Sequence, residues 1–193
     1  MRDLVDLALG MLDMKLVRKS SHDKMASYVK RYRNYDLLEY IDPKYLCEFV
    51  EHLPFSKSQL RQDLFVLGEL GFKRNGFFIE FGASNGVDHS NTYLLEKRFN
   101  WRGILAEPAR IWHKSLEVNR SAFIEKNCIW NVTGEKLLFN EVDDKNHNGE
   151  LSTIDSFSNE DMHSKARRQR STKYKVTTIT LYDVLKKYGA PKN

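Results

Sequence analysis

The stretch Phe77-Phe78-Ile79-Glu80-Phe81-Gly82-Ala83-Ser84-Asn85-Gly86 constrains this chain more than any other. Its apolar first half follows the turn pair Asn75-Gly76 and reads as a short buried strand. Gly82 and Gly86 then allow a tight bend, and a helix is predicted over residues 90–99. Trp101-Arg102-Gly103 ends that unit, and Ile104-Leu105-Ala106 is a second buried strand closed by Glu107-Pro108. A helix over 109–119 and a third strand within 122–129 follow. Strand, helix, strand, helix, strand is an α/β pattern and predicts a parallel sheet. Such sheets bind ligands at the carboxyl ends of their strands, which is where the glycine bend lies.

The flanks are less regular. Residues 1–35 read as amphipathic helix, with Leu4, Ala8, Met11 and Leu12 on one face. Residues 20–34 are basic and carry tyrosines, and fit either a second helix or a docking tail. Asp42-Pro43 is a helix start, with the helix expected to reach about residue 53. Ser56 and Gln59 form a capping box ahead of Leu60, Leu64 and Leu67, and Gly71 stops that helix. Beyond residue 131 we expect a strand over 136–142, a polar loop over 143–161, a strand over 176–180 and a short helix over 181–188 before Gly189 and Pro191. The expected organisation is a helical extension, 1–57, and one α/β domain, 58–193.

Composition excludes several classes. With 41% hydrophobic and 12% aromatic residues the chain is too apolar to be disordered. No run of apolar residues is long enough for a membrane span. Cys47 and Cys128 are far apart, which suggests neither a disulfide framework nor zinc, and a reducing, cytoplasmic setting is expected. Net charge is +5, part of it in Lys165, Arg167, Arg168, Arg170, Lys173 and Lys175. Tyr174 is the only aromatic residue within that run, so it reads as a solvated basic loop, not a nucleic-acid site.

The bend itself points to a ligand. A dinucleotide fingerprint would read G-x-G-x-x-G, whereas Gly82 and Gly86 make G-x-x-x-G, with Glu80 two residues ahead. A carboxylate beside a pyrophosphate gains nothing, but it suits S-adenosyl-L-methionine, which carries a sulfonium and an ammonium. The turn amides are expected to meet that ligand's carboxylate tail. Glu107, at the tip of the second strand, can accept both hydrogen bonds of a ribose diol.

These residues resemble the FkbM family of methyltransferases. The resemblance runs from about residue 58 to 193 and rests on segments in order and at spacing. They are Gln62-Asp63-Leu64-Phe65-Val66-Leu67, Gly76 through Gly86, Ser90-Asn91-Thr92-Tyr93-Leu94-Leu95-Glu96 and Trp101 through Pro108. Asn127-Cys128-Ile129, Ser152-Thr153-Ile154 and Val176 through Leu181 are similar to later landmarks of the family. The resemblance implies a class I, Rossmann-like three-layer sandwich that binds S-adenosyl-L-methionine and methylates an oxygen on a sugar, lipid or other small molecule. It implies that Glu80, Gly82, Ala83, Ser84, Asn85 and Gly86 hold the methionine end and that Asn91 and Pro108 also bind the cofactor. Glu107 would hold the ribose, and Asn127 and Cys128 would border the adenine.

The family continues after the helix like 181–188 with an acidic strand that reads roughly I-D-x-L-x-I-D-x-E-G, which this sequence lacks. The expected fold is therefore incomplete at its C-terminus, no catalytic residue is assigned, and a second copy or a complementing chain is expected on the open sheet edge. The alternative is a non-catalytic module acting through a partner. His89, beside the bend, is a secondary candidate for a general base. Asp143, Asp144, His147 and Asp155 lack metal-ligand spacing, and no metal is expected. Trp112 and His113 lie on the helix after Glu107, where one of them could reach an adenine, although Trp112 reads first as a core or surface tryptophan.

Overall fold

A computed structural model describes residues 37–143, 149–158 and 171–192. The helices expected within 1–35, the cations Lys165, Arg167, Arg168 and Arg170, and Asp144 and His147 lie outside the described residues. The chain forms two compact units, Met1–Asp42 and Pro43–Asn193. Of the first, the described part is a turn in which the Tyr40 amide donates to the Leu37 carbonyl at 3.1 Å. The second begins at Pro43 and holds residues 43–57 together with the α/β elements.

Pro43 opens a single turn, Pro43–Tyr45, that leads into α1, Leu46–His52. The expected capping box does not form. Helix α2 is Gln62–Glu69, and Ser58 Oγ, not Ser56, accepts its first amide at 2.9 Å. Ser56 instead donates to the buried Asp63 carboxylate at 2.7 Å, whose pKa burial pushes up despite that bond.

The parallel sheet is built from β1, Phe77–Phe81, β2, Arg102–Ala106, and β3, Phe123–Glu125, in the order β1-β2-β3. Helix α3, Tyr93–Phe99, joins β1 to β2, and α4, Arg110–Asn119, joins β2 to β3. Period-two alternation sends Phe78 and Glu80 to one face of β1 and Phe77 and Ile79 to the other. The first face meets the start of α3 and Arg120 at the end of α4. The second packs with Ile104 and Ile179 against Val184 and Leu185 of α5, Leu181–Lys187. Helices thus cover both faces, as a parallel sheet requires.

The third strand expected within 122–129 is β3, and the residues after it do not continue it. The chain steps out at Lys126-Asn127 and resumes as β4, Cys128–Ile129, in a second, mixed sheet. That sheet has the order β4-β7-β5-β6, with β5 Lys136–Val142, β6 Thr153–Ile154 and β7 Ser171–Ile179. Strand β4 runs parallel to the end of β7, and β5 is antiparallel to both β6 and β7. Lys173 and Lys175, expected in a basic loop, are therefore strand residues opposite Asn140 and Leu138.

Gly103 is fixed by packing. A Cβ there would lie 2.3 Å from the Phe78 ring and 2.4 Å from its carbonyl oxygen, which is backbone and cannot retreat. Gly103→Ala is expected to destabilise the fold by about 1–3 kcal/mol, seen as a lower urea midpoint at unchanged slope. An unchanged midpoint would show that β1 and β2 have slack at this crossing.

Candidate functional site

The loop 82–92 is shaped mainly by its own residues. The Asn85 side chain accepts the amides of Val87 and Asp88, both at 2.9 Å, and donates to the Asp88 carboxylate at 2.7 Å. Gly86 has φ +78°, and a Cβ there would meet Leu116 at 2.6 Å and Arg120 at 2.7 Å. Its carbonyl accepts from the Arg120 guanidinium at 2.9 Å.

Glu80 also serves this loop. It accepts from Ser90 Oγ at 2.9 Å, from the Asn91 amide at 2.8 Å and from Thr92 Oγ1, with the Arg120 guanidinium at 3.8 Å. Arg120 is the hub: its side chain is 0% exposed, and it reaches Glu96 at 2.9 Å, Ser90 at 3.1 Å and Thr92 at 2.9 Å. Burial alone would raise the pKa of Glu96, but the Ser121 amide and Arg120 outweigh it and hold the carboxyl below its usual value.

A cleft of about 250 Å³ opens at the carboxyl ends of β1, β2 and β4. Of the eleven residues expected to bind cofactor, Gly82, Ser84, Glu107, Pro108 and Cys128 line it. Glu80, Ala83, Asn85, Gly86, Asn91 and Asn127 are not among its lining residues. Ala83 is buried beneath the bend, Asn91 is held between Glu80 and Ser58, and the Asn127 amide donates to Glu125 at 2.9 Å. Glu80, expected to grip one ligand together with Glu107, does not line the cleft that Glu107 lines. Alternation along β1 turns Glu80 to the α3 face, where Arg120 and the loop donors occupy it.

Most of the turn amides expected to meet an anion have partners within the fold. Gly82 and Ala83 donate to the Ala106 carbonyl, Ser84 to Glu107, Gly86 to the Ala83 carbonyl, and Val87 and Asp88 to Asn85. Those donors are already used within the fold.

Glu107 dominates the cleft. It is 5% exposed, and its two oxygens each accept one amide at 2.8 Å, from Ser84 and Ala109. A carboxylate oxygen has two acceptor positions, so each keeps one beyond these amides. Burial pushes its pKa up, the two amides oppose this, and Glu141 nearby adds to the rise. Around it Trp112 packs on the cluster of Ala109, Cys128, Phe139 and Val176. Burial, and secondarily Glu107, pushes the Cys128 thiol up as well, so it is a neutral apolar wall. His113 turns away to the Glu107 carbonyl at 2.9 Å.

Sequence reading missed the far wall: Phe139, Glu150 and the β6 residues Thr153 and Ile154. Only the resemblance singled out residues 152–154, and Glu150 fell in a stretch read as polar loop. Its carboxylate lies 3.2 Å from His89 Nδ1. The cleft's charged lining residues are Glu107 and Glu150, both acidic. Among the described residues no group of three or more His, Cys, Asp and Glu side chains could hold a metal, and no helix is long and apolar enough to cross a membrane. Comparison of the chain with family models, curated proteins and solved structures found no match.

Proposed function

We propose that the cleft binds S-adenosyl-L-methionine and that the chain is the cofactor-binding part of an O-methyltransferase with a class I, Rossmann-like core. The observation that carries this reading is Glu107: a buried carboxylate at the tip of β2 that lines the cleft and is anchored by one amide on each oxygen. That is the geometry a ribose diol needs. The lining supports a cationic ligand, with two carboxylates and no Lys, Arg or His. A pyrophosphate would face only repulsion there. Trp112, Cys128 and Ile129 supply apolar surface for adenine. Gly82 has nothing within 4 Å of where a Cβ would sit, which leaves room for the methionine end over the bend.

The volume is below the roughly 300–1,000 Å³ common for small-molecule sites. The cleft would therefore enclose the nucleoside and leave the sulfonium at the rim, near Glu150. When bound, the cofactor supplies a methyl group for in-line attack by an acceptor hydroxyl, typically of a sugar, lipid or metabolite. The chain's own residues contribute position and a negative field. Glu80 and Arg120 act indirectly, by setting the loop that carries Gly82 and Ser84.

A second reading has its own observation. Among the described residues β1 pairs only with β2, and Phe81, Leu181 and Tyr182 are exposed. A module that uses this edge to hold a partner would bind cofactor without transferring methyl, and its size in solution would rise with concentration.

Titration calorimetry tests the cofactor binding that both readings share, and methyl transfer together with a concentration-independent size separates the first from the second. Heat is expected with S-adenosylmethionine and S-adenosylhomocysteine and not with NAD. Silence with both methionine nucleosides at high protein concentration would overturn the cofactor assignment.

A further inference from the structure

A second hollow, of about 620 Å³, lies among the end of α1, the turn Leu53–Phe55 and helix α3. Its size falls within the roughly 300–1,000 Å³ of small-molecule sites. Its charge is opposite to that of the cofactor cleft: Lys57, Arg74, Lys97 and Arg98 line it, and no Asp or Glu does. The adjacent Glu96 lies 3.2 Å from Lys97, but its two oxygens also take the Arg120 guanidinium and the Ser121 amide.

The two arginines are held by rings and backbone. The Arg98 guanidinium sits 3.3 Å from the Phe55 ring centroid. Arg74 lies 5.3 Å from the Phe99 centroid and donates to the Arg98 carbonyl at 2.7 Å. Each guanidinium has five N–H donors, so most remain available, and the planar fork matches a phosphate's paired oxygens. Gathering four cations around one hollow is repulsive, and an anion relieves that repulsion.

We infer that this hollow binds a small organic phosphate with at least two negative charges, at a place separate from the cofactor cleft. The positive lining turns away a sulfonium or ammonium. The volume exceeds that of a lone phosphate, and Phe55 and Tyr93 give the organic portion a surface to rest on. This assignment stands independently of the methyltransferase reading.

The test is calorimetric titration of the full chain with inorganic pyrophosphate and with a hexose bisphosphate. Binding of both is expected, about tenfold weaker in Lys57→Gln/Arg98→Gln. The double variant Lys114→Gln/Lys175→Gln, with the same net charge, should bind like the parent chain. Should the first variant fail to fold, Lys57→Gln/Lys97→Gln, which alters two exposed side chains, replaces it. No heat with either probe overturns the proposal. So does equal weakening in the charge-matched control, which would mean diffuse attraction. Tight binding of a single-stranded oligonucleotide with no response to pyrophosphate also overturns it, by assigning the surface to nucleic acid.

Discussion

Arg120→Met is expected to lower stability by about 3–5 kcal/mol, the range for removing one partner of a buried ion pair. At about 2–4 °C per kcal/mol for a chain of this size, the thermal midpoint falls by roughly 6–20 °C. Methionine restores most of the apolar stem but none of the donors. Glu96 would stay buried without its cation, Glu80 would lose its nearby positive charge, and the Gly86 carbonyl would lose its donor. The pH profile should change as well. Because the folded pKa of Glu96 is held below its ordinary value, its stabilising contribution is present above that ordinary value and fades as pH falls through the lowered one. Much of that acid sensitivity should vanish in Arg120→Met. A variant as stable as the parent would show that the loop 82–92 does not depend on this cation.

Glu107→Gln should weaken S-adenosylmethionine binding by roughly 100-fold, the effect of losing charge-assisted hydrogen bonds worth about 1.5–3 kcal/mol each. The amide nitrogen of glutamine would face a backbone N–H where a carboxylate oxygen now accepts one. Acidification of the parent chain mimics part of this change. Protonation turns one acceptor into a donor, so affinity should fall as pH drops through the raised pKa of Glu107 and stay flatter in the variant. Stability moves the other way. A carboxyl whose pKa is raised by folding contributes most below its unfolded value, and that contribution is lost as pH climbs through the folded one. Unfolding and titration measured across the same pH range therefore separate the two effects. Undiminished affinity in Glu107→Gln would remove this residue from the binding site.

The elements from β1 through α4 were legible because each is local: an apolar run, a glycine bend and a helical spacing leave their marks within a few residues. Glu107 was legible for the same reason, since a strand followed by Glu-Pro marks its own end. The direction of Glu80 was harder to read. A residue one step from a strand terminus points to one of two faces, and only the position of Arg120, 40 residues later, decides which. Arg120 carried no sequence signal beyond following a helix. Strands over 136–142 and 176–180 were legible as β5 and the end of β7, but their assembly with β6 into one wall was not, because antiparallel pairing across intervening chain has no local signature. Glu150 and Ile154 reach the cleft only through that pairing.

The step at Lys126-Asn127 has a kinetic consequence. It hands the chain from a sheet of neighbouring βα units to one whose strands find each other over long sequence separations, as Leu138 does with Lys175. Early-forming contacts give the floor of the cleft, and loop closure delays its far wall. A nucleoside that touches both would act as a late clasp on the folding chain. Amide exchange in β5 and β7 should slow on binding far more than exchange in β1 and β2, whose protection is already in place before any ligand arrives.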